Sequence, residues 1–208
     1  MTIDTKVLWI AVVVIAIAIS LFFSIKKRTV YKQLQRCMAE ERWGDFERLL
    51  DGKLTSMLYP RYNRDYLRLN SYLLREDYAE ANKLFDELLQ LKLPNMQRVD
   101  LVIKAFNYFV GRENRTRSKE LLDEIMTYQG ERVEPIKAEC QLMYDTMILK
   151  RSDSIDALTK QIGEVDGAKR GRLEYLLALQ YRNKGDMDAF NEHVKKAAED
   201  SFAPGGVA

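Results

Sequence analysis

The sequence predicts an all-α protein with an apolar helix at its amino end. Three observations carry this prediction. Beyond residue 28, apolar residues recur at helical spacing, with short breaks marked by Gly, Pro, Asp and Asn. No run sustains the alternation of a half-buried strand, and Val and Ile are sparse outside the amino-terminal segment. That segment, Val7 to Ile25, reads VLWIAVVVIAIAISLFFSI and carries no charge.

Nineteen such residues form a helix of about 28 Å, close to the thickness of a hydrocarbon core. Lipid offers no partner to backbone N–H and C=O groups, so a spanning segment satisfies them internally as a helix. Trp9 falls at one end, where an indole sits among headgroups. A cleaved signal peptide would have a basic start, a shorter apolar core and a small-residue cleavage site. Here MTIDTK carries one Lys and one Asp, and the run ends in Phe22-Phe23-Ser24-Ile25-Lys26, so an uncleaved anchor is expected. Lys26, Lys27, Arg28, Lys32 and Arg36 follow the segment, against Lys6 alone before it. The positive-inside bias then places residues 1–6 outside as a short tail and the remainder on the cytoplasmic side of the cell membrane. Lys26, Lys27 and Arg28 are candidates for anionic headgroups. Ala16, Ser20 and Ser24 form a small-residue stripe that would let two anchors pack as a homodimer.

The remaining composition excludes much chemistry. Lys and Arg total 33 against 31 Asp and Glu, and a net charge of +2 argues against a generic nucleic-acid binder. Four Pro, ten Gly and 47% apolar residues exclude a disordered or collagen-like chain. Cys37 and Cys140 are too few for a disulfide framework and suit a reducing compartment. With His193 as the sole imidazole, the usual thiolate and imidazole zinc sets lack their ligands. His193 lies between Phe190 and Val194 and reads as a packing histidine; no phosphate-cradling GxxxxGK[ST] or GxGxxG is present. No enzyme activity and no cofactor are expected.

Five times a polar turn is followed by an Asp or Asn placed to cap the next helix: Asp45, Asp77, Asn114, Asp153 and Asp186, spaced by 32, 37, 39 and 33 residues. Glu80, three residues after Asp77, adds a capping-box pattern. Apolar residues recur along each second helix, as in Ala81, Leu84, Phe85 and Leu88. Periods of this size signal stacked helical hairpins. The stretch from Tyr72 to Pro94 resembles a tetratricopeptide repeat. It carries a first-helix aromatic (Tyr72), a turn aromatic (Tyr78), a small second-helix residue (Ala81), a second-helix aromatic (Phe85) and a closing proline one residue late. The last unit is similar, with Leu177, Ala178, Tyr181, Gly185-Asp186 and Ala197. In the first unit Phe46 is read as the turn aromatic and Leu49 stands in the small position; Arg115 and Ser154 replace the turn aromatic in units three and four.

The resemblance implies a right-handed α-solenoid of about five hairpins over residues 37–200. A basic segment, residues 26–36, leads into it and a flexible tail, residues 201–208, follows. It also implies a concave groove, lined by the first helices, that holds a protein or peptide. Carried over by register, the groove residues are Asn63, Tyr66, Asn70 and Leu73, then Ile103 and Asn107, Leu142 and Thr146, and Arg172, Tyr175, Arg182 and Asn183. A second stripe, Arg61, Arg64, Arg68 and Arg75 beside Tyr59, Tyr62 and Tyr66, has the residue types of a single-strand binder, but Asp65, Glu76 and Asp77 interrupt it. The expectation is a membrane-anchored scaffold that recruits partner proteins. An extracytoplasmic chaperone of reversed topology and an RNA-binding adaptor are the alternatives.

Overall fold

The computed structural model describes residues 5–200, with side chains described for Trp9 and from Val13 onward. Residues 1–4 of the expected amino-terminal tail, and the tail over 201–208, lie outside the described residues. Those described form eleven α-helices and no strand, so the chain is all-α. It divides into two compact units at Leu88–Leu89.

The first unit holds α1 (Thr5–Ala39), α2 (Trp43–Leu50), α3 (Lys53–Leu58), α4 (Arg61–Leu74) and α5 (Tyr78–Leu89). The carboxyl-terminal part of α1 supplies Val30, Leu34 and Cys37 to a core shared with Phe46, Leu50, Tyr59 and Leu67, all buried. Pro60 holds extended backbone ahead of α4, where its missing N–H costs no helical bond. The sequence gives no signal for α3, a single six-residue turn-and-a-half.

The amino-terminal part of α1 has the opposite character. Val13, Ile15, Ile17, Ile19, Leu21, Phe22 and Ile25 are all more than half exposed. At about 100° per residue these positions go round the whole helix, so the apolar surface is a sleeve rather than a stripe. Among the described residues no helix is long and apolar enough to cross a membrane. The span expected over Val7–Ile25 falls partly on side chains outside the described set, which leaves Val13–Ile25 as its uninterrupted described portion.

The second unit holds α6 (Asn95–Gly111), α7 (Arg115–Thr127), α8 (Glu134–Met147), α9 (Ile155–Ile162), α10 (Gly167–Lys184) and α11 (Met187–Glu199). They pair as hairpins α6–α7 and α10–α11, with α9 on α10. First helices also touch in sequence, α6 on α8 and α8 on α10, and α7 packs on α8. This is nearest-neighbour stacking, in which each hairpin buries its apolar face against the next.

One backbone feature recurs along the chain. Glu41, Glu76, Glu113, Lys150 and Gly185 take left-handed φ values, 35, 37, 37 and 35 residues apart. At four of the five, the following N–H (Arg42, Asp77, Asn114, Asp186) donates to the carbonyl five residues back at 2.8–3.0 Å. The left-handed residue itself donates to the carbonyl three back at 3.0–3.2 Å. This is a Schellman closure of each first helix. The turn after Lys150 is wider: α8 ends at Met147, and Arg151 N–H donates to Asp145 O at 3.0 Å.

These turns correct the register read from sequence. Asp77, Asn114 and Asp186 do cap their helices, accepting from the N–H groups of Glu80, Arg117 and Ala189 at 3.3, 3.1 and 3.0 Å. Asp45 instead lies inside the first turn of α2 and holds Arg42 and Arg48, and Asp153 precedes Ser154, which opens α9. Glu80 pairs with Lys83 at 2.5 Å, so its carboxylate turns along the helix. Counting from each left-handed residue, Trp43 rather than Phe46 matches the turn aromatic Tyr78. Phe46 and Ser118, both buried, share the place of Ala81.

A non-glycine residue in this conformation costs about 1–2 kcal/mol, offset here by the closure bonds. Glu76 is exposed, so its side chain contributes little packing. Glu76→Gly is therefore expected to stabilise the fold by about 0.5–1 kcal/mol, and Gly185→Ala to destabilise it comparably. Urea midpoints of the two variants check this; a lower midpoint for Glu76→Gly would contradict it.

Candidate functional site

The residues expected to line a groove fall into two sets, one in each unit. In the first unit α4 presents Asn63, Tyr66 and Asn70 half-buried, with the Tyr66 ring 5.8 Å from that of Tyr62. Leu73 is buried and belongs to the packing. In the second unit Asn107 is half-buried on α6, beside the half-buried Ile103. Asn70 Oδ1 and Asn107 Oδ1 are both enclosed without a hydrogen bond, and both stand six residues before a left-handed turn residue. They are one repeat position, used twice.

On α10 the expected residues are tied to the fold. Arg172 Nε meets Glu139 Oε1 at 2.7 Å, and its Nη2 lies 3.6 Å from Met143 Sδ. Asn183 Nδ2 donates to the carbonyls of Thr146 and Arg151 at 2.8 and 2.9 Å, joining α10 to the end of α8 and its turn. Arg182 is exposed and lies over the Phe190 ring; Tyr175 is half-buried. Thr146 is a correction, whereas Leu142 is half-buried. Thr146 is fully buried and accepts from Gln180 Nε2 at 2.7 Å, while Leu142 packs on the Leu158, Leu176 and Leu177 cluster. Gln180 Oε1 in turn accepts the Ser154 N–H at 3.1 Å, so this amide satisfies two otherwise stranded groups between hairpins.

The arginine stripe is largely neutralised inside the first unit. Arg68 reaches Glu47, Asp51 and Asp65 at 3.0, 2.6 and 3.2 Å, and Arg61 reaches Asp65 at 3.2 Å. Arg75 lies 4.7 Å over the Tyr72 ring and 5.9 Å over Trp43, with Glu47 and Asp77 just under 4 Å away. The Nε atoms of Arg64 and Arg75 are both enclosed without a hydrogen bond. Arg68 is the hub, because one planar fork satisfies carboxylates from α2, the turn after it and α4.

Four further polar side chains carry no signal in the sequence. Arg98 grips Glu124 through two bonds of 2.7 and 2.8 Å and also donates to Leu89 O, while Tyr128 donates to Glu124 at 2.6 Å. The Arg98 bonds hold the Glu124 carboxyl below its ordinary value; burial, then the bond to Glu124, pushes the Tyr128 phenol up. Lys104, on α6, is pushed below the usual lysine range by burial.

His193 and the two cysteines are held within the fold. His193 Nδ1 lies 2.6 Å from Glu174 Oε2, a buried carboxylate, and its ring stacks on Tyr181 at 5.2 Å. Cys37 and Cys140 are free and buried, and burial pushes the Cys140 thiol up to about 12, far from the thiolate form at neutral pH. Among the described residues no three His, Cys, Asp or Glu side chains gather as a metal site. Comparison with models of known protein families, with curated proteins and with solved structures finds no match for this chain.

Proposed function

We propose that this chain is a non-enzymatic, single-pass membrane protein whose tetratricopeptide-like hairpins form a cytoplasmic scaffold for partner proteins. One observation carries the reading. A single helix, α1, runs without a break from an apolar sleeve exposed on every side into the core positions Val30, Leu34 and Cys37. A sleeve of this kind is stable against water only when covered, and a hydrocarbon phase covers all sides at once. The sequence extends it back to Val7, giving the length of a bilayer span, and the basic flank sets its direction. Stacked hairpins suit a binding role, and tethering raises the local concentration of the scaffold beside other membrane components.

Tagging the carboxyl end and treating intact cells with protease tests both anchor and topology. The tag should sediment with membranes and resist digestion until the membrane is opened. Ready digestion in intact cells would reverse the topology and favour the extracytoplasmic chaperone. Release of the tag into the soluble fraction would remove the anchor.

A further inference from the structure

The short helix α3 sits where the apolar sleeve meets the folded part of the first unit. Its inner face is fixed: Thr55 is buried and its Oγ1 donates to Leu49 O at 2.6 Å, and Leu58 packs against the core around Val30 and Leu34. The residue that ends it, Tyr59, is buried and donates its hydroxyl to Lys27 O at 2.7 Å, two residues past Ile25. The Lys27 ammonium stands 5.1 Å over the same ring. At about 1.5 Å of rise per residue, that hydrogen bond pins the end of α3 within one helical turn of the last apolar residue of the sleeve.

The outer face of α3 has no such explanation inside the fold. Leu54 and Met57, three residues apart and so on one side, are 45% and 73% exposed. Lys26, Lys27 and Arg28 are exposed at this junction and Lys53 is exposed at the start of α3, while Lys26 lies over the Phe22 ring, 5.5 Å from its centre, turned back along the sleeve. Apolar side chains projecting beside a group of lysines, at the end of a lipid-covered segment, match the two layers of an anionic bilayer surface. Acyl boundary meets the first and headgroups meet the second.

We infer that α3 is a second membrane contact, with Leu54 and Met57 entering the interface of an anionic bilayer while Lys53 and the lysines after Ile25 engage its headgroups. The inference rests on the anchor reading and extends it. A single spanning helix leaves the attached unit free to rotate about the helix axis. A second contact offset from that axis fixes which side of the first unit faces the lipid and which faces the cytoplasm.

The test uses the full chain in vesicles of phosphatidylcholine and phosphatidylglycerol. A polarity-sensitive fluorophore is attached through Met57→Cys in one sample and Glu40→Cys in another, with the buried Cys37 and Cys140 left unmodified. Position 57 is exposed, so the substitution leaves the core intact, and Glu40 directly follows α1, ~20 Å along the helix axis from Lys27. The label at position 57 should emit to the blue of that at position 40. Lipids carrying a nitroxide near the glycerol should quench it about twofold or more strongly, as for a residue 5–10 Å below the surface. Vesicle flotation of the same samples separates the two ideas. If the chain floats but the two labels behave alike, α3 stays in water, its apolar face is left for a protein, and this inference alone is overturned. If the chain fails to float, the anchor reading falls and takes this one with it.

Discussion

Replacing Ile15 and Ile19 together with arginine should release the full-length chain from membranes. The two residues lie one turn apart near the middle of the Val7–Ile25 segment. Both side chains are more than half exposed on α1. A guanidinium at the centre of a spanning helix costs about 3 kcal/mol on insertion scales, so two cost about 6 kcal/mol before relaxation. That is on the order of a 10⁴-fold shift in partition, beyond what rearrangement of the two side chains recovers. The folded core begins at Val30, more than two turns away, so the double variant should keep its helical circular-dichroism spectrum. A paired control, Ile15→Leu with Ile19→Leu, keeps the hydrophobicity and should stay membrane-bound. The measurement is the fraction of tagged chain resisting alkaline extraction. Continued retention of the arginine variant would show that something other than insertion of α1 holds the chain, and the proposed function would need a different foundation.

Which parts of this fold can be read from the residues follows from how local each signal is. The hairpin period is local, since apolar spacing and a capping Asp or Asn lie within a few residues of one another. Asp77, Asn114 and Asp186 accordingly take their expected places. The register of the first and fourth turns is not local. It is set by left-handed residues whose conformation is held by backbone closure bonds, and Glu41, Glu76, Glu113 and Lys150 carry no side-chain mark of it. Gly185 alone has the residue type that advertises such a position. The same reasoning explains α3, too short to show a period. It explains Arg68 as well, whose partners Glu47 and Asp51 lie well back in the chain. Register errors propagate to the groove. A shift of a residue or two turns Thr146 from an expected ligand contact into a buried hydroxyl, and makes Asn183 a strut between hairpins. Asn70 and Asn107 keep a common place, six residues before a left-handed turn residue, and each has an enclosed Oδ1 without a hydrogen bond.

The core of the second unit makes the other large prediction. Phe106 is fully enclosed on α6, the helix that packs on both α7 and α8, among Leu101, Val102, Ala105, Phe109 and Val110, all buried. Phe106→Ala removes a fully buried ring from the helix that packs on both neighbours, and substitutions of this kind cost about 3–5 kcal/mol in transfer energy and residual cavity. Against a typical domain stability of about 5–15 kcal/mol, that is a large part of the whole. In a stack stabilised by nearest-neighbour contacts the loss falls first on the α6–α7 and α6–α8 interfaces. The comparison is Met96→Ala on the same helix: Met96 is 70% exposed, and its truncation should stay within about 0.5 kcal/mol. Urea unfolding of the full chain in detergent micelles, followed by far-ultraviolet circular dichroism, reads both. Phe106→Ala should lower the midpoint sharply and broaden the transition, because weakening one interface uncouples the hairpins on either side. A midpoint equal to that of Met96→Ala would mean the Phe106 ring is not enclosed, and the stacking order α6–α7–α8 would have to be redrawn.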